Sequence, residues 1–220
     1  MRIGGLKQRI GADSKVGCVL GIDFKKVGQG HGQSFMSNRD CYGHLCTNTG
    51  AVWNLGGRSF DGVDDKVVMP TSIQLGTEDW SMETQLKETN LAQARYPIGW
   101  YDGAGDFCIF RSSNTIQFEI DCYFGGVRDD PIVPIAITNN FSYNIAITLD
   151  RDGDWKGYFN GNHSKTSAVT VTTGSISFTN SFTLGRPFND WNGHISKIRL
   201  KNYADYAARL LQRAIDARRN

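Results

Sequence analysis

Short stretches in which apolar and polar residues alternate, each followed by a turn signal, restrict the fold of this chain more than any other feature. The stretch WSMETQLK at 80–87 shows the pattern most clearly. Successive side chains of a β-strand point to opposite faces, so one face of this stretch is predicted to be buried and the other exposed to water. The residues predicted to be buried are Trp80, Met82, Thr84 and Leu86, and those predicted to be exposed are Ser81, Glu83, Gln85 and Lys87.

Similar stretches recur along most of the chain. DFCIF at 106–110 and TIQFEID at 115–121 flank a four-residue polar turn at 111–114 and predict a β-hairpin around SSNT. YNIAITLD at 143–150 and WKGYFNG at 155–161 flank a turn of Arg, Asp and Gly and predict a second hairpin. With HISKIRL at 194–200 as a further strand, the pattern predicts an all-β protein.

The composition agrees with this class and excludes several partners. The 220 residues include 25 glycines but only 5 prolines, which is typical of many tight turns between short strands. The formal net charge is +2, so no overall field attracts nucleic acid or an anionic membrane. No apolar run approaches the roughly 20 residues of a bilayer span. We therefore expect neither nucleic acid nor a membrane as a partner.

The chain divides into three predicted segments. Residues 1–15 form a polar N-terminal arm, in which charged residues interrupt every apolar run before it reaches the length of a signal-peptide core. We therefore expect synthesis in the host cytoplasm without a signal peptide. Residues 16–202 form one β-domain, and 203–220 form an amphipathic helix that packs on the domain or on a neighbour. Its apolar residues are Tyr203, Tyr206, Ala207, Leu210, Leu211, Ala214 and Ile215.

The five cysteines do not form an obvious framework. They are odd in number and widely spaced, which favours buried thiols over disulfides. Cys41 and Cys46 lie five residues apart with no matching CxxC pair elsewhere, so packing is favoured over a zinc site. No zinc cofactor is expected.

Four ordered blocks carry a resemblance to a known family. They are GGRSFDGVDDKVVMP at 56–70, EDWSMETQLK at 78–87, YNIAITLDRDGDWKGYFNGN at 143–162 and FTLGRPFNDWNGHISKIRLKNY at 182–203. In this order they resemble laminin-G-like and pentraxin-like domains of the concanavalin A-like lectin and glucanase superfamily. The resemblance implies a two-sheet antiparallel jelly-roll sandwich. Proteins of this fold include lectins, adhesion modules, glycosidases and structural virion components, so the fold alone does not assign a function.

Three aspartates form the candidate metal site. Asp61, Asp64 and Asp65 follow the strand that ends near Phe60, and carboxylate oxygens are ligands that Ca²⁺ prefers. The alternative is that they cap the turn by hydrogen bonding. The family's closing strand commonly carries two acidic residues where this chain has Ser196 and Lys197, which removes a hard oxygen ligand. We therefore expect no cofactor, with calcium as the alternative.

Two carboxylates and four aromatic residues form the candidate ligand site. Glu119 and Asp121 are two residues apart on a predicted strand, which places both on one face. Related glycoside hydrolases carry a second Glu further along such a strand, but Tyr123 and Gly125 occupy those positions here. Aromatic rings near loops can stack on sugar rings, and the alternative for each is ordinary packing. The aromatic candidates are Trp100, Tyr101, Tyr123 and Phe124.

These features favour a non-catalytic binding or structural module. Stand-alone laminin-G-like chains resemble virion proteins of tailed bacteriophages, which implies a capsid decoration or a tail or fibre component located in the virion. The partners expected are other virion proteins, copies of the same chain and surface glycans. The alternatives are a glycan-cleaving enzyme that uses Glu119 and Asp121, and a calcium-dependent lectin.

Overall fold

The computed structural model describes the chain in segments. The described residues are 18–24, 45–54, 56–70, 79–89, 95–101, 107–113, 117–124, 127–129, 132–134, 138, 140–169, 180–185 and 191–201. Between residues 107 and 134 the description is of the backbone. The predicted arm at 1–15 and the predicted helix at 203–220 lie outside these residues, so both stay predictions.

All regular elements among the described residues are β-strands. They are β1 (Cys18–Asp23), β2 (Thr47–Thr49), β3 (Val52–Asn54), β4 (Gly57–Asp61), β5 (Lys66–Val68), β6 (Trp80–Glu88), β7 (Arg95–Tyr101), β8 (Phe107–Ser113), β9 (Gln117–Phe124), β10 (Val127–Asp129), β11 (Ile132–Pro134), β12 (Ser142–Leu149), β13 (Asp154–Phe159), β14 (Asn162–Ala168), β15 (Thr183–Leu184) and β16 (Asn192–Lys201). Within this described part of the chain, no helix is long and apolar enough to cross a membrane.

The strands form two antiparallel sheets. Sheet 1 has the order β14-β13-β12-β6-β16-β4-β3, with β1 also paired to β16. Sheet 2 has the order β10-β9-β8-β7-β15-β5-β2, with β11 also paired to β9. One apolar core contains residues of both sheets, for example Leu86 and Ile195 of sheet 1 with Ile98 and Leu184 of sheet 2. The predicted all-β antiparallel sandwich is therefore confirmed.

Large aromatic side chains fill the space between the two inner faces. Trp80 on β6 and Trp155 on β13 meet edge to face, with ring centroids 5.3 Å apart. Trp191 and Phe60 pack with centroids 5.6 Å apart at the opposite end of sheet 1. Burying each such side chain contributes about 1.5–3 kcal/mol to folding. The alternation in 80–87 thus predicts the inner face of β6 correctly.

The outer face of β6 is less exposed than its polar residues predict. Ser81 is 4% exposed and Glu83 is 9% exposed. Glu83 is compensated by two cations of β16, since its carboxylate oxygens lie 3.6 Å from Lys197 Nζ and 3.5 Å from Arg199 Nη1. Tyr158 on the same outer face is also buried. The prediction that Ser81 and Glu83 face water is therefore wrong, because residues of the neighbouring strands cover this face and the two cations of β16 offset part of the cost of burying the Glu83 carboxylate.

Candidate functional site

The three predicted metal ligands do come together, in a loop that connects the two sheets. This acidic loop, residues 61–65, joins the end of β4 in sheet 1 to the start of β5 in sheet 2. One ligand atom from each of Asp61, Asp64 and Asp65 lies within 4.8 Å of the others. Asp61 and Asp64 are exposed, whereas Asp65 is 8% exposed. The sequence therefore identified a real cluster of carboxylates.

Two carboxylate oxygens of the acidic loop already accept hydrogen bonds from the backbone of the loop. The Asp61 backbone N–H donates to Asp65 Oδ2 at 2.8 Å, and the Val63 backbone N–H donates to Asp61 Oδ1 at 2.8 Å. Asn192 Nδ2 donates to the Asp61 carbonyl oxygen at 2.8 Å, which ties the loop to the start of β16. These bonds cap the turn, as the alternative interpretation of the three aspartates predicts.

The electrostatics of the loop favour a proton or a cation at Asp65. Burial raises the pKa of Asp65, and the nearby charges of Asp61 and Asp64 raise it further. The hydrogen bond from the Asp61 N–H acts in the opposite direction and stabilises the charged form. Three carboxylates this close together repel one another, and a bound cation or a proton relieves that repulsion. The loop thus has the charge that a cation requires.

The oxygen donors fit calcium only in part. Ca²⁺ takes six to eight oxygen ligands, typically at about 2.3–2.6 Å. The acidic loop offers three carboxylates, of which two already accept backbone hydrogen bonds. Calcium here would depend on water for much of its coordination. Turn capping accounts for the described contacts, and the calcium site stays a prediction.

The two departures from the family pattern have roles away from the acidic loop. Ser196 lies at a register shift of β16, where its hydroxyl donates to the Gly56 carbonyl oxygen at the β3–β4 turn. Lys197 reaches Glu83 on the outer face of sheet 1. Both residues therefore stabilise sheet 1. In these contacts neither supplies an oxygen ligand for a cation held by Asp61 and Asp65.

Adjacent aromatic residues on β7 have opposite environments. Trp100 is 0% exposed and packs against Phe182, with ring centroids 4.4 Å apart. An indole enclosed in this way offers no face to a sugar, so this position favours the packing alternative. Tyr101 is half-buried, and its carbonyl oxygen accepts a hydrogen bond from Asn180 Nδ2 at 2.9 Å. Tyr101 is thus the member of the pair that remains a ligand candidate.

The strand register of sheet 2 brings Tyr101 and Tyr123 into one row. Tyr101 pairs with Phe107, and Phe107 pairs with Tyr123 on the next strand. Directly paired residues of antiparallel strands lie on the same face of a sheet. The aromatic row, defined as Tyr101, Phe107 and Tyr123, therefore lies on the outer face of sheet 2, opposite to the face of Trp100. Phe124 falls on the inner-face side by the same alternation.

The two predicted acids share the face of the aromatic row. Asp121 is two residues before Tyr123 on β9 and pairs with Ile109, and Glu119 pairs with Arg111 on β8. On its other side Glu119 pairs with Ile132 of β11. None of these described register partners is acidic. Among the described pairs, the residue opposite Glu119 on β8 is therefore Arg111 and not a second carboxylate.

Sequence reasoning missed Phe107 and Arg111 because the hairpin is offset from its predicted turn. The turn was predicted at SSNT, yet β8 continues through Ser113 and β9 begins at Gln117. This shift decides which residues face each other, and it pairs Phe107 with Tyr123. The alternation in 106–110 predicts the face on which Phe107 lies. Its cross-strand partner depends on the length of the turn, which the alternation does not give.

Comparisons with known proteins identify the fold. No family model matches the chain, and no curated protein matches it. A Trypanosoma rangeli sialidase mutant with trans-sialidase activity is similar in structure, with a TM-score of 0.68 at 15% identity, covering 92% of this chain and 33% of that one. Botulinum neurotoxin type C, which depends on two ganglioside molecules to enter cells, has a TM-score of 0.70 at 12% identity, covering 93% and 52%.

A third similar structure is the binding domain of botulinum neurotoxin DC in complex with rat synaptotagmin II. Its TM-score is 0.66 at 13% identity, and the match covers 91% of this chain and 51% of that one. This chain therefore spans about a third of the sialidase and about half of the toxin structures. At these identities the likeness extends to the β-sandwich fold.

Proposed function

We propose that this chain is a non-catalytic binding module that holds a glycan on the outer face of sheet 2. The observation that carries the proposal is the aromatic row of Tyr101, Phe107 and Tyr123, with Asp121 and Glu119 on the same face. Sugar rings present apolar faces that stack on aromatic rings, and their hydroxyls hydrogen-bond to carboxylates and guanidinium groups. Both kinds of group are brought together here on paired strands.

The similar structures support a glycan as the ligand class. One is a sialidase, and another belongs to a toxin that depends on gangliosides, which are glycolipids. The register adds a second support, because Asp121 lies about 7 Å along β9 from Tyr123. A sugar stacked on the aromatic row would have a carboxylate beside it.

A binding experiment with a matched control tests this site. Purified protein is screened on a glycan array, and the best ligand is measured by calorimetry with wild type, Tyr123→Ala and Phe141→Ala. Loss of one stacking ring should weaken binding about tenfold. Phe141 is 64% exposed and lies before β12 in sheet 1, so its loss should leave affinity unchanged. An equal loss in both variants, or no binding to any glycan, contradicts the proposal.

We further propose that the module is a bacteriophage virion component, either a capsid decoration or a tail or fibre protein. The support is the resemblance of the four sequence blocks to laminin-G-like domains, a fold that structural virion components share with lectins and adhesion modules. The partners would be other virion proteins or copies of this chain, with the segments 1–15 and 203–220 as anchors. Mass spectrometry and immunogold microscopy of purified particles should detect the chain on the particle surface. Its absence from assembled particles would reject this role.

A glycan-cleaving enzyme is the second candidate, favoured by the shared face of Glu119 and Asp121. A retaining mechanism needs two carboxyl groups about 5 Å apart, one as nucleophile and one as general acid. Arg111 and Ile132 are the register partners of Glu119, so the described pairs place no second carboxyl group directly opposite it. We expect no turnover of polysaccharides by wild type. Turnover that Glu119→Gln abolishes would replace the binding module with an enzyme.

A further inference from the structure

Two of the five cysteines lie directly opposite each other on neighbouring strands. Cys108 on β8 is the register partner of Cys122 on β9. They are 14 positions apart in the sequence, and the β8–β9 hairpin brings them together. Their wide spacing in sequence favoured separate thiols, so this juxtaposition is a product of the fold.

The backbone geometry of an antiparallel pair suits a disulfide bond. Directly paired residues have Cα atoms about 5.5 Å apart at hydrogen-bonded positions and about 4.5 Å apart at the others. Disulfides span Cα separations of about 4.4–6.8 Å. Both Cα separations fall within this range, so the register of Cys108 and Cys122 meets the Cα requirement of a disulfide at either kind of position.

The row that contains the two cysteines lies on the inner-face side of sheet 2. Cys108 also pairs with Trp100, which is 0% exposed in the core. The neighbours of the two cysteines in sequence, Phe107 and Tyr123, form the next pair along the hairpin and belong to the aromatic row. A covalent link between residues 108 and 122 would therefore fix the register immediately beneath the proposed ligand face.

We propose that Cys108 and Cys122 form a disulfide when the protein meets a disulfide oxidant such as glutathione disulfide. One cysteine thiolate attacks a sulfur of glutathione disulfide and displaces one glutathione. The second cysteine thiolate then attacks the protein sulfur of the mixed disulfide and displaces the other glutathione. The two protein thiols lose two electrons and two protons, and glutathione disulfide becomes two molecules of glutathione.

Cys46 provides the contrast within the described residues. It is buried, and its thiol donates to Met69 Sδ at 3.1 Å. It precedes β2, five strands away from β9 along the order of sheet 2. Cys46 is therefore not placed to compete with Cys108 for Cys122.

Tryptic peptide mapping gives a direct test, because the two cysteines fall in separate peptides. Trypsin cleaves after Arg95, Arg111 and Arg128, so Cys108 lies in peptide 96–111 and Cys122 lies in peptide 112–128. The full-length protein is denatured, reduced and refolded with reduced and oxidised glutathione, so that the oxidant reaches both thiols before the sandwich closes. Remaining thiols are then alkylated under denaturing conditions before digestion.

The expected result is a linked pair of peptides 96–111 and 112–128, about 2 Da lighter than the sum of the two reduced peptides, that separates on reduction. The link should persist in the control Cys41→Ser and disappear in Cys108→Ala. Recovery of both peptides alkylated, or linked mainly to other cysteines, would overturn the proposal. The wild-type map decides the question even where Cys108→Ala fails to fold.

Thermal melting tests the stabilising role of the link. The 15 residues from Cys108 to Cys122 form a closed loop whose constraint should raise Tm by several degrees, up to about 10 °C. The difference in Tm between oxidised and reduced protein should be present in Cys41→Ser and absent in Cys122→Ala. A link that leaves Tm unchanged would contradict the stabilising role.

Discussion

Asp65 holds its carboxylate against the backbone of Gly50, with Oδ1 only 1.9 Å from the position that a Cβ atom on residue 50 would occupy. Gly50 has a φ of 73°, in the left-handed region that favours glycine. Residue 50 lies between β2 and β3, and Asp65 ends the acidic loop between β4 and β5. Two of the connections that cross from one sheet to the other are therefore packed together at this contact.

Replacing Gly50 with alanine should destabilise the protein by about 2–4 kcal/mol, because it adds a clash with Asp65 to the strain of a positive φ. Urea unfolding monitored by tryptophan fluorescence measures this loss. Gly56→Ala is the control, since its Cβ would meet only the side-chain oxygen of Asn54, at 3.1 Å. Equal losses in the two variants would show that the contact with Asp65 is unimportant.

The raised pKa of Asp65 makes stability depend on pH in a defined direction. Between the ordinary pKa of 3.8 and the raised pKa, the folded state binds more protons than the unfolded state. The free energy of unfolding should therefore fall as pH rises through this window. Asp65→Asn has no carboxyl group to ionise at this position, so it does not lose stability in this way. The stability of the variant relative to wild type should therefore increase from pH 3.5 to pH 7. Parallel pH profiles for the two proteins would contradict the assignment.

Chelation tests the calcium alternative at the same loop. Because turn hydrogen bonds already use carboxylate oxygens of Asp61 and Asp65, EDTA should leave Tm unchanged within about 1 °C. Differential scanning fluorimetry with EDTA and with millimolar Ca²⁺ measures this. A calcium-dependent rise of several degrees that Asp64→Asn abolishes would establish a metal site.

His194 on β16 should titrate below its ordinary range. Burial lowers the pKa of His194, and the charge of Lys87 lowers it further. With Nδ1 unprotonated, the ring accepts a hydrogen bond from Asn54 Nδ2 at 3.1 Å. Because the unfolded state binds more protons below the ordinary pKa of 6.5, stability should fall as pH drops from 6.5 towards the folded pKa.

Lys87→Met should raise the pKa of His194 but leave it below 6.5, since burial is the larger cause. NMR titration of the imidazole resonances, assigned with His194→Gln, measures the change. Lys156→Met, on β13, should not alter it. An unchanged pKa in Lys87→Met would remove the electrostatic part of the explanation.

Trp100 and Tyr101 should separate stability from binding. Trp100→Ala removes a ring enclosed in the core and should cost about 3–5 kcal/mol. Tyr101→Ala removes a half-buried ring on the other face, so it should cost less stability and should weaken binding to the glycan found on the array. Denaturant unfolding and calorimetry measure the two effects. Unaltered affinity in a folded Tyr101→Ala variant would exclude Tyr101 from the ligand face.

Part of the candidate site could be predicted from the sequence, and part could not. The alternation in 106–110 and 115–121 predicts the faces of Phe107 and Asp121, and three aspartates within the five residues 61–65 predict a carboxylate cluster. Whether Trp100 or Tyr101 faces outward could not be predicted. The two residues are consecutive on one strand and both are aromatic, so the apolar pattern does not show which of them is buried. The core decided it by enclosing Trp100 against Phe182.

The pattern of residues along the chain is enough to predict the class of the fold and the face on which most strand residues lie, since a two-residue period is a local property of the backbone. Which residues pair across strands, such as Tyr101 with Phe107 and Cys108 with Cys122, depends instead on the assembled sheets. Cross-strand partners depend on where each turn begins and how the sheets close on their common core. A shift of a single residue there changes every partner while leaving the local pattern intact.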